Sequence, residues 1–97
     1  MAATLQDRGG GEFAIEGDLD FQSVAALWQQ ARRSFRQQPA LRIDLAGVNR
    51  SDSSGVALLV DWLRQARERG QDLQFVNIPA QMQAIVRVAG LDGLLPA

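Results

Sequence analysis

Asp52-Ser53-Ser54-Gly55 is the run in this chain whose residue types and spacing could do chemistry. Two hydroxyls beside a carboxylate allow three readings. A serine could attack an ester with Asp52 as its acid partner. A serine could accept a phosphate. Or the run could simply open a helix, because Asp and Ser side chains cap the unpaired N–H groups of a first turn and glycine loosens the turn before it. The first reading lacks its tools. A serine nucleophile needs a base to take its proton, and the chain has no histidine, no cysteine and no lysine; all ten basic residues are arginine, which stays protonated. The pattern G-x-S-x-G is absent as well. We therefore expect no enzyme, no catalytic residue, no metal site and no cofactor. In the second reading, a phosphate on Ser53 would meet backbone donors and the positive end of the helix dipole, worth about 0.3–1 kcal/mol when exposed. Asp52 beside it would oppose the added charge, and against a partner the charge would mainly disrupt contact.

The 97 residues fit one compact unit, with a net charge of −1 and no apolar run near the roughly 20 residues of a membrane span. Met1 to Gly11 has no apolar stretch of the secretory type, so a cytoplasmic location is the expectation. The near-zero charge gives no reason to expect nucleic acid or an anionic membrane as the main partner.

The elements that must position the central run read as follows. Ala2 to Gln6 suggests a short edge strand, Arg8-Gly9-Gly10-Gly11 a hairpin turn, and Glu12 to Glu16 a strand with Phe13 and Ile15 on one face. No helix follows the glycines closely enough to make them a phosphate cradle. Gly17-Asp18-Leu19-Asp20 leaves that strand, and Asp20 caps a helix from about Phe21 to Gln37 with a stripe of Val24, Leu27, Trp28, Ala31 and Phe35. Leu41 to Leu45 is a strand. The central run then opens a helix from about Ser53 to Arg69, capped by Asp52 or Ser53 and closed at Gly70. Val56, Leu59, Val60 and Leu63 are expected inward, Leu58 and Trp62 partly off that face. Asp72 to Asn77 is a further strand, Ala80 to Ala89 a helix with Met82, Ile85, Val86 and Ala89 as its stripe, and Leu91 to Leu95 an apolar tail docking on the core. Helix-length segments between strands favour parallel pairing. The expectation is an α/β fold: a small mixed sheet of four to five strands with about three helices packed on it.

Trp28 and Trp62 fit a core at helical spacing, or one of them could stand at the surface as an interface anchor. The arginines that crowd the ends of the first two helices (Arg32, Arg33, Arg36; Arg64, Arg67, Arg69) suit the negative end of a helix dipole.

Two segments carry a family resemblance. Gly17-Asp18-Leu19-Asp20 after a strand resembles the G-[ED]-L-D signature of STAS domains, which include anti-sigma-factor antagonists and the C-terminal domains of sulfate transporters. Leu41-Arg42-Ile43-Asp44-Leu45-Ala46-Gly47-Val48, then Asp52-Ser53-Ser54-Gly55, resembles its second signature: a strand, a short loop and D-[ST]-[SGA]-G at a helix start. Leu73 to Pro79, a helix and Gly90-Leu91 follow the family order, so the likeness covers residues 1–97 as one STAS domain. Within the family, the small size, Leu27-Trp28 and Gly55-Val56-Ala57-Leu58-Leu59 are most similar to the MlaB-type subunits of the bacterial lipid-asymmetry ABC transporter. The resemblance implies a non-enzymatic cytoplasmic subunit, peripheral to the inner membrane, that binds the transporter's ATPase. It also implies that Trp28, Asp52, Ser53, Ser54 and Gly55 form the partner surface, with Ser53 at the family's switch position. The antagonist branch implies an alternative: an anti-sigma kinase as partner and phosphorylation of Ser53 as the switch.

Overall fold

The computed structural model describes residues 1–91. Four strands and three helices follow in the order β1 (Thr4–Gly9), β2 (Glu12–Leu19), α1 (Phe21–Arg36), β3 (Ala40–Ser51), α2 (Ser53–Arg69), β4 (Asp72–Val76) and α3 (Ala80–Val88). The sheet runs β1-β2-β3-β4, with β1 antiparallel to β2 and the other two pairings parallel. The expected mixed α/β sheet is thus present, with four strands.

The topology explains where the helices go. Each parallel pairing needs a crossover, and α1 and α2 supply the two. The strands add in one direction, so crossovers of one hand lay α1 and α2 side by side on one face, where they touch, and α3 packs on α2 and β3. Alternation along the strands follows from this. Phe13, Ile15, Leu41, Ile43 and Leu45 point under the helices and are buried, while Gln6, Glu12, Arg42 and Gln74 lie exposed on the opposite face. An aromatic chain stitches the layers. The ring of Phe35 on α1 meets Phe13 of β2 edge-on at 4.8 Å and Trp62 of α2 at 5.0 Å. Such pairs contribute about 0.5–1.5 kcal/mol each beyond their burial.

Several boundaries differ from expectation, each for a physical reason. The β1–β2 hairpin is longer than expected: Gly9 pairs with Glu12 past an irregularity at Arg8, and Gly10-Gly11 alone make the turn. Gly17-Asp18-Leu19 remains in β2, and β3 runs to Ser51 with no loop after Leu45. The two strands hold each other in register to Leu19↔Ser51 by absorbing irregularities between Ala14 and Glu16 and between Gly17 and Asp18. Gly17 has φ +108°, and a Cβ there would press on the Ala2 carbonyl oxygen at 2.8 Å, so glycine serves both the backbone and the close approach. At the other end of the sheet β4 stops at Val76, because Asn77 turns into the left-handed region at φ 58°.

Leu58 and Trp62 are buried at 3% exposure each, not partly off the core face. α2 is covered by α1 on one side and α3 on the other as well as by the sheet, so its buried arc is wider than a single amphipathic stripe. Val60 and Leu63 are half-buried at that arc's margin. Ala89 is exposed at the end of α3, where it is the C-cap rather than part of the stripe. Leu91 packs against the core; the rest of the expected tail lies outside the described residues.

Candidate functional site

β2 and β3 are parallel neighbours, so both end at the same edge of the sheet, and α1 and α2 both start there. Each start is capped by an aspartate. Asp20 Oδ1 accepts from the N–H groups of Gln22 at 3.0 Å and Ser23 at 2.9 Å, and the Ser23 hydroxyl oxygen accepts from the Asp20 N–H at 3.1 Å, closing a capping box. Serine stands where Glu or Gln is usual, which is why the sequence pattern did not show it. On α2, Asp52 is the N-cap, its Oδ1 accepting from Ser54 N–H at 2.8 Å and Gly55 N–H at 3.4 Å. The Asp52 N–H donates to the Leu19 carbonyl at 3.1 Å, fastening the α2 start to the end of β2. α3 joins them through Gln81, whose Oε1 accepts from the Ser51 N–H at 3.0 Å. Asp18, Asp20, Arg50, Asp52 and Gln81 thus line a polar cleft of about 310 Å³ between the helix starts.

The residues singled out from sequence have distinct places in this edge. Asp52 is exposed and does the capping. Ser53 is exposed at the first position of α2, and among the described residues its hydroxyl makes no hydrogen bond within the protein. Ser54 is half-buried behind it. Gly55 is buried, and a side chain there would collide with the Ser51 hydroxyl and with Leu19 Cβ at 2.9 Å. Four adjacent residues therefore have four roles: cap, free hydroxyl, flank and close contact.

Trp28 lies further along α1. It is half-buried, and its indole Nε1–H donates to Asp61 Oδ2 on α2 at 2.7 Å. The same carboxylate accepts from Arg64 at 2.6 Å and Gln65 at 2.8 Å. The Arg32 guanidinium stands 5.3 Å from the Trp28 ring centroid, within cation–π range. Partial burial pushes the Asp61 carboxyl up, but the hydrogen bonds from Arg64, Trp28 and Gln65 and the Arg64 charge outweigh it and hold it below its ordinary value. The Asp61 bond in turn holds Arg64 above its ordinary value. Asp61 is about 12 Å along α2 from Ser53 by helical rise, so Trp28 and Ser53 stand two turns apart on the paired helices rather than in contact. Ser53, Ala57, Val60 and Arg64 follow each other at helical spacing between them. The Asp61-Arg64-Gln65 spacing was visible in the sequence as an i, i+3, i+4 set; its partner on the other helix was not.

Among the described residues no group of three or more His, Cys, Asp or Glu could hold a metal ion, and no helix is long and apolar enough to cross a membrane. This arrangement offers side chains for binding.

Comparison with known proteins adds identity to this geometry. The intermembrane phospholipid transport system binding protein MlaB of Escherichia coli (strain K12) is 24% identical over 82 residues, which cover 84% of this chain and 82% of that protein. The protein of the same name from Shigella flexneri matches to the same extent. Among solved structures, the anti-sigma factor antagonist SpoIIAA in its unphosphorylated form aligns with a TM-score of 0.75 at 18% identity, covering 97% of this chain and 85% of that one. An anti-sigma factor antagonist from Mycobacterium paratuberculosis aligns at 0.74 and 23% identity, covering 98% and 82%. These likenesses show the fold. Residues 3–96 match the family described as Mlab, STAS domain, and on that nearly complete match the chain belongs to the STAS-domain family.

Proposed function

We propose that this protein is a non-enzymatic regulatory subunit that binds the ATPase of a phospholipid-trafficking ABC transporter and supports outer-membrane lipid asymmetry. It would work on the cytoplasmic side, held at the inner membrane through its partner. The observation that carries the reading is the division of labour at the α2 start: Asp52 alone caps the helix, which leaves the exposed Ser53 hydroxyl for a partner. The match to the Mlab STAS family and the name of the Escherichia coli relative, a phospholipid transport system binding protein, support a transport-system partner. ATP belongs to the ATPase, since this chain has no phosphate-binding loop of the Walker type. The docking surface takes in Trp28 and the α2 start at Asp52, Ser53 and Ser54, which the buried Gly55 holds against β2 and β3, and it favours the productive state of the ATPase by binding that state more tightly.

The test is co-purification of the ATPase subunit with the wild type, Trp28→Ala and Ser53→Arg. We expect both variants to fold and to lose the complex. Wild-type affinity in both would sink the reading.

A second reading rests on the same free hydroxyl. Ser53 at a helix N-terminus suits a phosphate, and an antagonist switched by an anti-sigma kinase would use it so. Incubation with candidate kinases and ATP, followed by mass spectrometry, separates the two. Phosphate on Ser53 with loss of kinase binding favours the second.

A further inference from the structure

The bond between Trp28 and Asp61 has a consequence for recognition that goes one step past the docking reading and rests on it. An indole has a single polar group, and here it is used inside the protein, on a carboxylate 2.7 Å away. Asp61 is itself held by its own helix: Arg64 and Gln65, three and four residues on, donate to it at 2.6 Å and 2.8 Å. α2 therefore builds the acceptor, and α1 contributes Trp28 to it. With Nε1–H tethered and Arg32 over the ring, the two side-chain torsions of Trp28 are fixed before any partner arrives.

The charges around it are asymmetric. Arg64 is occupied by Asp61 and by Glu68 at 3.1 Å. α1 contains no acidic residue, and among the described residues Arg32, Arg33 and Arg36 have no carboxylate within salt-bridge distance. Arg32 and Arg36 are four apart, a like-charge spacing that slightly destabilises a helix. Together with Gln29 and Gln37 these arginines line a groove of about 560 Å³ beside Trp28.

We propose that Asp61 is a positioning residue for the docking surface: it holds Trp28 in one orientation with its donor satisfied, and the surface so made receives a partner segment that sets an apolar side chain against the exposed part of Trp28 and carboxylates on the α1 arginines. Guanidinium forks match carboxylates in pairs, which fits this groove to an acidic protein segment.

The experiment measures affinity for the purified ATPase subunit together with the Trp28 indole N–H resonance, assigned with Trp28→Phe, in Asp61→Ala and Asp61→Asn. Circular dichroism verifies that each variant is folded. Asn keeps one acceptor oxygen for the indole and gives up the ion pair with Arg64, which now lies against an NH2 group, so Asp61→Asn should stay within about threefold of wild type. Asp61→Ala should free the indole, speed its exchange with water and weaken binding about tenfold. In a Trp28→Ala background Asp61→Ala should cost nothing further. Arg33→Glu with Arg36→Glu should weaken binding about tenfold and flatten its salt dependence. Three results overturn the proposal while the docking reading stands: Asp61→Ala binding like wild type when Trp28→Ala does not, an equal loss from Asp61→Ala with and without Trp28, or no effect of the arginine reversals. Wild-type binding by Trp28→Ala overturns the proposal, and wild-type binding by Ser53→Arg as well overturns the docking reading with it.

Discussion

Gln81 reaches from the first turn of α3 to the last residue of β3, its Oε1 accepting from the Ser51 N–H at 3.0 Å. β4 lies beyond β3 along only part of its length, since the pairing covers Ala40 to Asp44, so Ser51 has no neighbouring strand on that side and takes a side chain instead. Gln81→Ala should leave this buried residue's N–H unpaired and lower stability by about 1 kcal/mol, which for a chain of this size is roughly 4–8 °C in melting temperature. Amide exchange at Ser51 should accelerate in the variant; unchanged protection there would contradict the bond's role.

Gly55→Ala has a sign that separates local propensity from packing. In an open helix, alanine is better than glycine by about 1 kcal/mol. Here the added methyl would collide with Ser51 and Leu19, and we expect a loss of about 1–3 kcal/mol. Ala57→Gly, at an exposed site of the same helix, should cost only about 0.5–1 kcal/mol. Chemical denaturation of the two variants checks the order.

The capping assignment predicts a difference between adjacent residues. Asp52→Ala and Asp20→Ala should each destabilise by about 1 kcal/mol. Ser53→Ala, which removes an exposed hydroxyl with no partner within the described protein, should stay within about 0.5 kcal/mol of wild type. Equal losses for Asp52→Ala and Ser53→Ala would mean that the serine shares the cap.

Two carboxylates should give the stability a defined acid dependence. The Ala46 N–H and the Asn77 amide pull Asp44 below its ordinary value, burial opposes them, and Arg8 adds to the lowering; Asp61 is lowered as described above. A carboxyl more acidic in the folded than in the unfolded chain contributes its full stability above the unfolded value near pH 4. That contribution disappears as pH falls through the lower folded value. The stability difference between wild type and Asp61→Asn should therefore be constant from about pH 7 to 5 and shrink below about pH 4. A difference that persists unchanged to about pH 2 would rule out the depressed carboxyl as its source.

Helix starts were legible in the residues because their signals are local. Asp20 and Asp52 cap within two or three positions of themselves, and Gly70 closes α2 in the left-handed conformation at φ 70°. The end of β3 was not legible. Ala46 to Ser51 carries no strand pattern of its own, and it is strand because β2 pairs with it. Trp62 was misjudged for a similar reason: a single-stripe view of α2 has no knowledge of α1 and α3 closing over its flanks. At the site, the four residues of the α2 start could be named from sequence, while Asp61 acquired meaning only from Trp28, 33 residues away.

The close contact at Gly55 also limits how the molecule can respond to a disturbance. Gly55 leaves no room for a side chain against Ser51 and Leu19, and Asp52 is bonded to Leu19 as well, so the ends of two strands and the beginning of a helix are tied together. A bulky or charged group arriving at Ser53 finds no backbone that can retreat from it. The disturbance is passed outward, to whatever rests on that corner, rather than absorbed within. Under the docking reading proposed above, a fixed corner of this kind turns a change of a few atoms into a decision between contact and release.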